Sequence, residues 1–494
     1  MNAHFIGIDL GTQGLRVGVI DENGLIVASC EKSYETFYPS IGWAEQIPNE
    51  WLSQLKIALH VCLDNLDKKV KLSIQACSVC ATSSTVLPVD KYGKALGNAI
   101  MWMDNRAINE TEYINKSSHP ILEYCGNEVA AEWLIPKVLW YKNNQKDKYE
   151  TCFKIIEQLD WINYYISGEF KSSLCNATCK GNYVDGLGFD KSFFESIGIP
   201  EYENKIITEV VRVGDVIGKV TNEFAKEFGL DNNLLLVQGG IDAHIATYGL
   251  GVIEPGNLAL TMGTSFVHLC LSKERAIVSG IWGPYLNPLI KDYWLLEGGQ
   301  ISAGSLVKWF MRTFGIEEEN PYKVMANEAS LIEPGAEGLV VLDFFQGNRT
   351  PYKDPNAKGV IYGLNLKHTR GHIYRAIIES VSYGTRNIIE NFEKQGCEIN
   401  KVTASGGVTL DTFWMQVLAD ITGKTITVNK DSQAGVLGCC VIAAVGASFY
   451  DNYGTAVEHM VKTDFEYIPN TENNDIYLES YTKYLEIYQK LKEL

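Results

Sequence analysis

Asp242 closes the stretch Leu234-Leu-Leu-Val-Gln-Gly-Gly-Ile-Asp242, where an apolar run meets two glycines and then a helix of small residues. A carboxylate at the carboxyl end of a strand, beside glycines that let a ligand approach, is placed to accept a proton. An ordinary helix N-cap would look the same. Near the start, Phe5-Ile-Gly-Ile-Asp-Leu-Gly-Thr-Gln-Gly-Leu-Arg16 reads as a strand, a tight turn and the beginning of a second strand. Its tip, Gly11-Thr12-Gln13-Gly14, offers backbone N–H groups, a hydroxyl and an amide, with Arg16 behind it. Such a tip can hold phosphate oxygens. Asp9 stands where a hydrated Mg²⁺ on that phosphate would sit. A plain N-terminal hairpin with a glycine turn fits that stretch equally well.

Two further groups are suited to a polyhydroxylated ligand. In Trp102-Met-Asp-Asn-Arg106 an aromatic ring lies beside a carboxylate and a guanidinium. The ring can cover a C–H face while Asp104 and Arg106 hold hydroxyls, although an Asp–Arg ion pair at a helix start explains the same residues. Lys180 sits among small residues in Cys175-Asn-Ala-Thr-Cys-Lys180, which suits an ammonium in a pocket or a solvated lysine.

The elements that must position these groups follow from periodicity. Three strands come first: the hairpin, then 25–33. A helix from Pro48 to about Asp67 carries Trp51, Leu55, Ala58 and Leu59 on one face, and 72–81 is a buried strand. This β-β-β-α-β order predicts a mixed sheet covered by helices. Helices are expected over 155–166, 373–392 and 411–422, and 434–448 reads as a buried helix packed close to a neighbour. Leu258-Ala-Leu-Thr-Met-Gly-Thr-Ser-Phe-Val-His-Leu-Cys-Leu271 repeats the opening hairpin, which suggests duplication of one phosphate-gripping unit. The expected fold class is α/β, with domains 1–250 and 251–494 facing each other across a cleft.

Bulk properties exclude several classes. Across 494 residues the net charge is −17 and the pI about 5.0, which argues against a nucleic-acid binder or an anionic-membrane binder. No stretch resembles a signal peptide or a membrane span, so a cytoplasmic location is expected. The 12 cysteines are scattered, and neither Cys77/Cys80 nor Cys175/Cys179 has a histidine nearby in sequence, so reduced thiols are expected rather than a metal framework. Gly423-Lys-Thr425 is no P-loop, because position 418 is Leu, and no G-x-G-x-x-G is present.

In order and spacing, Asp9-Leu-Gly-Thr-Gln, Trp102-Met-Asp-Asn-Arg, Gly240-Ile-Asp-Ala-His, Met262-Gly-Thr-Ser, Gly298-Gly-Gln and Ser405-Gly-Gly resemble the FGGY carbohydrate kinases over nearly the whole chain. The resemblance implies two actin-like, ribonuclease H-like domains of the hexokinase/Hsp70/actin type, and ATP and Mg²⁺ as cofactors. Gly11, Thr12, Gln13, Arg16, Gly263 and Thr264 would bind phosphates, and Gly304, Lys308, Gly407, Val408 and Asp411 would cradle the adenosine. Lys308 and Asp411 depart from the glycerol kinase pattern. Asp242 would be the general base and, with Asp9, would face the metal through water. Within the family, Gly240-Ile-Asp-Ala-His, Leu296-Glu-Gly-Gly-Gln and Ala81-Thr-Ser-Ser-Thr are similar to ribulokinases. By that likeness Ser83, Trp102, Asp104, Arg106, Lys180, Asp242 and Glu297 would hold a ketopentose. Ser83-Ser84, where glycerol kinases carry Arg-Glu, argues against glycerol. Trp43-Ala-Glu-Gln and Trp102-Met-Asp-Asn-Arg are similar to xylulokinases as well. A kinase acting on a hexulose or polyol, or a non-enzymatic nucleotide switch of the actin or Hsp70 kind, uses the same hairpins. The expected partners are a sugar and ATP, with a homodimer allowed.

Overall fold

The computed structural model describes residues 3–276, 280–430 and 433–493; the outer limits of the two expected domains, 1 and 494, lie outside them. The chain forms two compact units. The first comprises the chain up to Ile253 together with Gly283–Leu295 and Gln433–Lys462, and the second comprises Glu254–Trp282, Leu296–Ser432 and the remainder from Thr463.

In the first unit a six-stranded sheet runs in the order Val216–Lys219, Leu235–Val237, Ile74–Ala81, His4–Leu10, Gly14–Asp21, Ile26–Ser33. His4–Leu10 pairs antiparallel with its hairpin partner and parallel with Ile74–Ala81, which in turn is parallel to Leu235–Val237. The central strands are buried on both faces, so they read as continuous apolar runs. Their carboxyl ends lie side by side: Thr82 N–H donates to Leu10 O at 3.0 Å, and Ala81 N–H to Gly240 O at 3.1 Å.

One face of this sheet is covered by the helix Ala434–Gly446. Small residues allow it to lie very close. A Cβ at Gly7 would stand 2.3 Å from Val436 O, and one at Gly438 2.2 Å from Ile245 O in the helix Asp242–Gly249. The Gly/Ala/Cys composition of 434–446 is therefore a packing requirement, met by a tight crossing of two helices.

The second unit repeats the design. Gly256–Met262 is antiparallel to Phe266–Ser272 and parallel to Ile399–Ser405, which is parallel to Thr425–Asn429. The helix Arg370–Glu393 packs on this sheet through Tyr374, Ile377, Ile378, Val381 and Ile388.

Two expectations are corrected. The helix expected over 155–166 divides into the strand Lys154–Glu157 and the helix Gln158–Ser167. Ile155 and Ile156 pair antiparallel with Pro88 and Leu87, so partner strands override the helical spacing. The segment around Cys175, read only as small residues, is the helix Leu174–Lys180, capped by Ser173, whose Oγ accepts from Cys175 N–H at 3.2 Å. No helix among the described residues is long and apolar enough to cross a membrane.

Candidate active site

In the first unit the site lies at the carboxyl ends of the parallel strands. Asp9, on His4–Leu10, is 8% exposed; its carboxyl lies 3.5 Å from the Arg16 guanidinium and accepts from the Cys80 thiol at 3.4 Å. Burial pushes this carboxyl up, and Arg16 and Cys80 pull it back down. Arg16 also pairs with Glu31 at 3.0 Å. The turn at Gly11–Gly14 is closed by Gly11 N–H donating to Gly14 O at 2.9 Å. The Tyr34 hydroxyl donates to Gly11 O at 2.5 Å and lies 3.1 Å from Gly14 O, which fixes the tip from beneath. Burial, and then the charges of Asp9 and Asp242, push the Tyr34 hydroxyl up. The tyrosine thus senses both carboxylates.

Asp242 is half-buried at the first turn of its helix, and its Oδ1 accepts from Ala243 N–H at 2.7 Å. Beside it, the turn after Ile74–Ala81 presents Ser83 and Ser84. Both hydroxyls donate to Glu157, at 2.7 and 2.8 Å, and Asn176 donates to the same carboxylate at 2.6 Å. Burial pushes Glu157 up, and these three donors and the Lys137 charge lower it. Lys137 is wholly buried and donates to Ser84 O at 2.6 Å and Met101 O at 2.7 Å. Its burial outweighs the nearby acids and brings its pKa to about 7. Lys180 ends its helix 8% exposed, with its ammonium 5.3 Å from the centre of the Trp133 ring. The Trp102 indole N–H donates to Thr12 Oγ1 at 3.0 Å, joining the aromatic segment to the Gly11–Gly14 turn.

Asp104 and Arg106 have a different place. Asp104 is fully buried; it accepts from Ala44 N–H at 2.6 Å and from Arg106 at 2.8 and 2.9 Å. Arg106 also reaches Glu45 at 2.8 Å and lies 3.8 Å from the centre of the Trp43 ring. Both charges are thus satisfied inside the fold, and the pair braces the loop that carries Trp102.

In the second unit the hairpin tip opens onto a cavity of about 1060 Å³. Gly263, Thr264, Gly304, Lys308, Gly407, Val408 and Asp411 all line it, so the residues expected to cradle a nucleotide in this unit are brought to one cavity. Gly304 is there because nothing larger fits: a Cβ would stand 2.4 Å from Gly263 O. Asp411 caps the helix Thr412–Thr422, accepting from Trp414 N–H at 3.1 Å, and burial pushes its carboxyl up. Glu297 lies on the strand Trp294–Gln300 and is 9% exposed.

Several groups escaped the sequence reading. Glu157, Asn176 and Lys137 lie far along the chain from Ser83, and no local spacing signals them. Asn320, Lys323, Asn327, Tyr374 and Trp414 also line the second unit's cavity. The Tyr374 hydroxyl and the Trp414 indole N–H are buried with no hydrogen-bond partner. Such groups are costly unless something meets them.

Sheets of six and seven strands that repeat one design, each with a glycine-tipped hairpin at its centre, give the fold of the actin/hexokinase/Hsp70 class of sugar kinases. Residues 4–249 match the N-terminal domain of the FGGY family of carbohydrate kinases, and residues 258–447 match its C-terminal domain. The chain belongs to that family and is a phosphotransferase acting on sugar hydroxyls; kinases of this family use ATP. It is 30% identical to an FGGY carbohydrate kinase domain-containing protein of Xenopus laevis, covering 99% of this chain and 97% of that one. It is 29% identical to a ribulokinase of Bacillus licheniformis over 90% and 87%, and 26% identical to a xylulose kinase of Staphylococcus epidermidis over 99% and 97%. Its fold matches that of the xylulose kinase of Lactobacillus acidophilus, with a TM-score of 0.89, at 23% identity and covering 99% and 98%.

Proposed function

We propose that the chain transfers the γ-phosphate of ATP to a hydroxyl of a ketopentose, ribulose being the first choice. The observation that supports this most is the grouping at the strand ends of the first unit: Asp242, the Asp9 turn and the Ser83–Ser84 segment, whose hydroxyls Glu157 fixes. Phosphoryl transfer to an alcohol needs an oriented hydroxyl, a group to take its proton and neutralisation of phosphate charge. Asp242 takes the proton. Lys180, Trp102, Ser83 and Glu297 orient the sugar, with Asp104 and Arg106 holding the Trp102 loop. Thr12, Gln13, Arg16 and the Gly11 turn hold phosphate oxygens, as do Gly263 and Thr264. The cavity lined by Gly304, Lys308, Gly407, Val408 and Asp411 takes the adenosine. Its unmet Tyr374 and Trp414 donors give a polar heterocycle something to satisfy. On this reading residues 1–250 carry most of the sugar contacts, the first phosphate hairpin and the catalytic Asp242, and residues 251–494 bind the nucleotide.

Asp9 and Asp242 offer the oxygen donors a hydrated divalent cation takes, on two neighbouring segments at the strand ends of the first unit. When bound, Mg²⁺ supplies charge neutralisation on the phosphates. A ketose panel in a coupled ADP-release assay tests the proposal. Ribulose should stimulate ADP formation well above the basal ATPase rate. Stimulation by xylulose instead selects the second reading, which the staphylococcal relative favours. If no pentulose, hexulose or polyol stimulates, the proposed acceptor class is wrong.

A further inference from the structure

The helix Leu174–Lys180 and the helix Asp242–Gly249 meet at three side chains that the phosphotransfer proposal does not use. Cys175 and Cys179 are one turn apart on the first helix, and His244 is in the first turn of the second. All three are buried, His244 at 1% exposure and both cysteines at 0%. The Sγ of Cys175 is 3.3 Å from His244 Nδ1 and that of Cys179 is 3.8 Å from it; the three ligand atoms lie within 4.8 Å of one another. Among the described residues they form the group of His, Cys and carboxylate side chains close enough to share one ion. We propose that Cys175, Cys179 and His244 form a zinc site, built into the first unit, that ties the helix ending at Lys180 to the helix beginning at Asp242.

The geometry is that of a tetrahedral zinc centre before the ligands draw in. Bonds of about 2.3 Å to sulfur and about 2.0 Å to nitrogen at the tetrahedral angle place S and N about 3.5 Å apart. The two observed S–N distances straddle that value, and all three ligand atoms already lie within 4.8 Å of one another. Charge selects the ion as well. Zn²⁺ with two thiolates and a neutral imidazole is electrically neutral, which a buried position demands. Mg²⁺ and Ca²⁺ prefer oxygen donors and find none here. Binding releases the two thiol protons to solvent and leaves one position for water. The surroundings fix the ligands in place. A Cβ at Gly240 would lie 2.8 Å from Cys175 Cβ, so the glycine before Ile241 is what lets the cysteine approach. Ser173 Oγ donates to Gly239 O at 2.6 Å and joins the same two segments from the other side. Nothing in the chain order announces the site, because His244 is 65 residues from Cys179.

The test is metal content, which does not depend on what the enzyme phosphorylates. Protein purified from zinc-supplemented cells, then passed through a chelating column, should retain about one zinc per chain by mass spectrometry. Growth on Co²⁺ should give the intense near-ultraviolet band of thiolate-to-cobalt charge transfer. In the double variant Cys175→Ser/Cys179→Ser, and independently in His244→Gln, the bound zinc should fall by at least about tenfold. Cys30→Ser, on the exposed edge strand Ile26–Ser33, should leave it unchanged. Folded wild-type protein that carries no stoichiometric zinc and shows no cobalt band overturns the proposal, even should the variants prove insoluble. Zinc retained in the double variant overturns the assignment to these residues. A kinase inactive on every ketose but loaded with zinc would sink the proposed acceptor and leave the metal site standing.

Discussion

Both hairpin turns are closed by their first glycine, over four residues in the first unit, with Gly11 N–H on Gly14 O at 2.9 Å, and over three in the second, with Gly263 N–H on Ser265 O at 3.1 Å. Each follows the central strand of its sheet, antiparallel to one neighbour and parallel to the other. The residue two places before the first glycine differs. In the first unit it is Asp9, registered against Arg16 and Cys80; in the second it is Thr261, registered against Val267 and Ser405. One backbone device therefore appears twice, once with a buried carboxylate and a guanidinium, once without charge. On the proposed function the charged copy is the one that faces the metal and the reacting phosphate. The neutral copy, opening onto a large cavity, suits a nucleotide whose own charge is enough.

The largest effect expected is at the carboxylate beside the charged turn. Asp242→Asn should lower kcat by about two to four orders of magnitude, the usual worth of a general base, with ketose binding changed far less. Near-wild-type turnover would remove Asp242 from that role. Next comes the difference between the turns themselves. Asp9→Thr converts the first turn to the chemistry of the second, and should lower kcat by about a hundredfold, the order of one lost electrostatic contact at a reacting group. The reciprocal change, Thr261→Asp, adds an anion two places before the turn proposed to hold phosphates; it should raise the KM for ATP and spare the KM for the ketose. Equal responses of both parameters to the two substitutions would show that the turns are not specialised.

A smaller effect separates the second turn from the sugar side. Gly304→Ala drives a Cβ to 2.4 Å from Gly263 O, so the turn must shift. Overpacking costs about 1–3 kcal/mol, and to the extent that it falls on the nucleotide complex it appears as roughly a five- to hundredfold rise in KM for ATP. The ketose KM serves as the internal control, and a rise there of the same size would show general loss of structure.

The hairpins were legible in sequence because a strand, a glycine turn and a strand are local, and so was their duplication. Asp242 was legible because Gly-Gly-Ile-Asp marks the end of a strand. The helix Arg370–Glu393 was legible from its long apolar stripe. What escaped is non-local. Ile155 and Ile156 have helical neighbours, yet they pair with residues near position 87. Asp104 and Arg106 look like ligand groups in a row, and only the packing of Glu45, Trp43 and Ala44 shows their charges turned inward. Glu157 and Lys137 converge on the Ser83–Ser84 turn from separate helices and strands, and a chain reading has no periodicity for such meetings.

A last prediction separates the two units by their response to acid. His268, on the strand beside the neutral turn, is fully buried, and its Nε2 lies 3.2 Å from Thr385 Oγ1. Burial pushes this imidazole down to about 3 from its ordinary 6.5. Its neutral form is therefore the folded form, and between those values the unfolded chain binds the extra proton. The stability it contributes is complete above pH 6.5 and is lost as pH falls towards 3, at about 1.4 kcal/mol per pH unit. His268→Gln removes the titration and keeps a group that can meet Thr385. The variant should be less stable than wild type at pH 7, because a shape-fitted ring is lost. The gap should narrow steadily from pH 6.5 to 4.5 in denaturant melts followed by fluorescence. A gap that stays constant over that range would mean that burial does not hold His268 neutral in the fold.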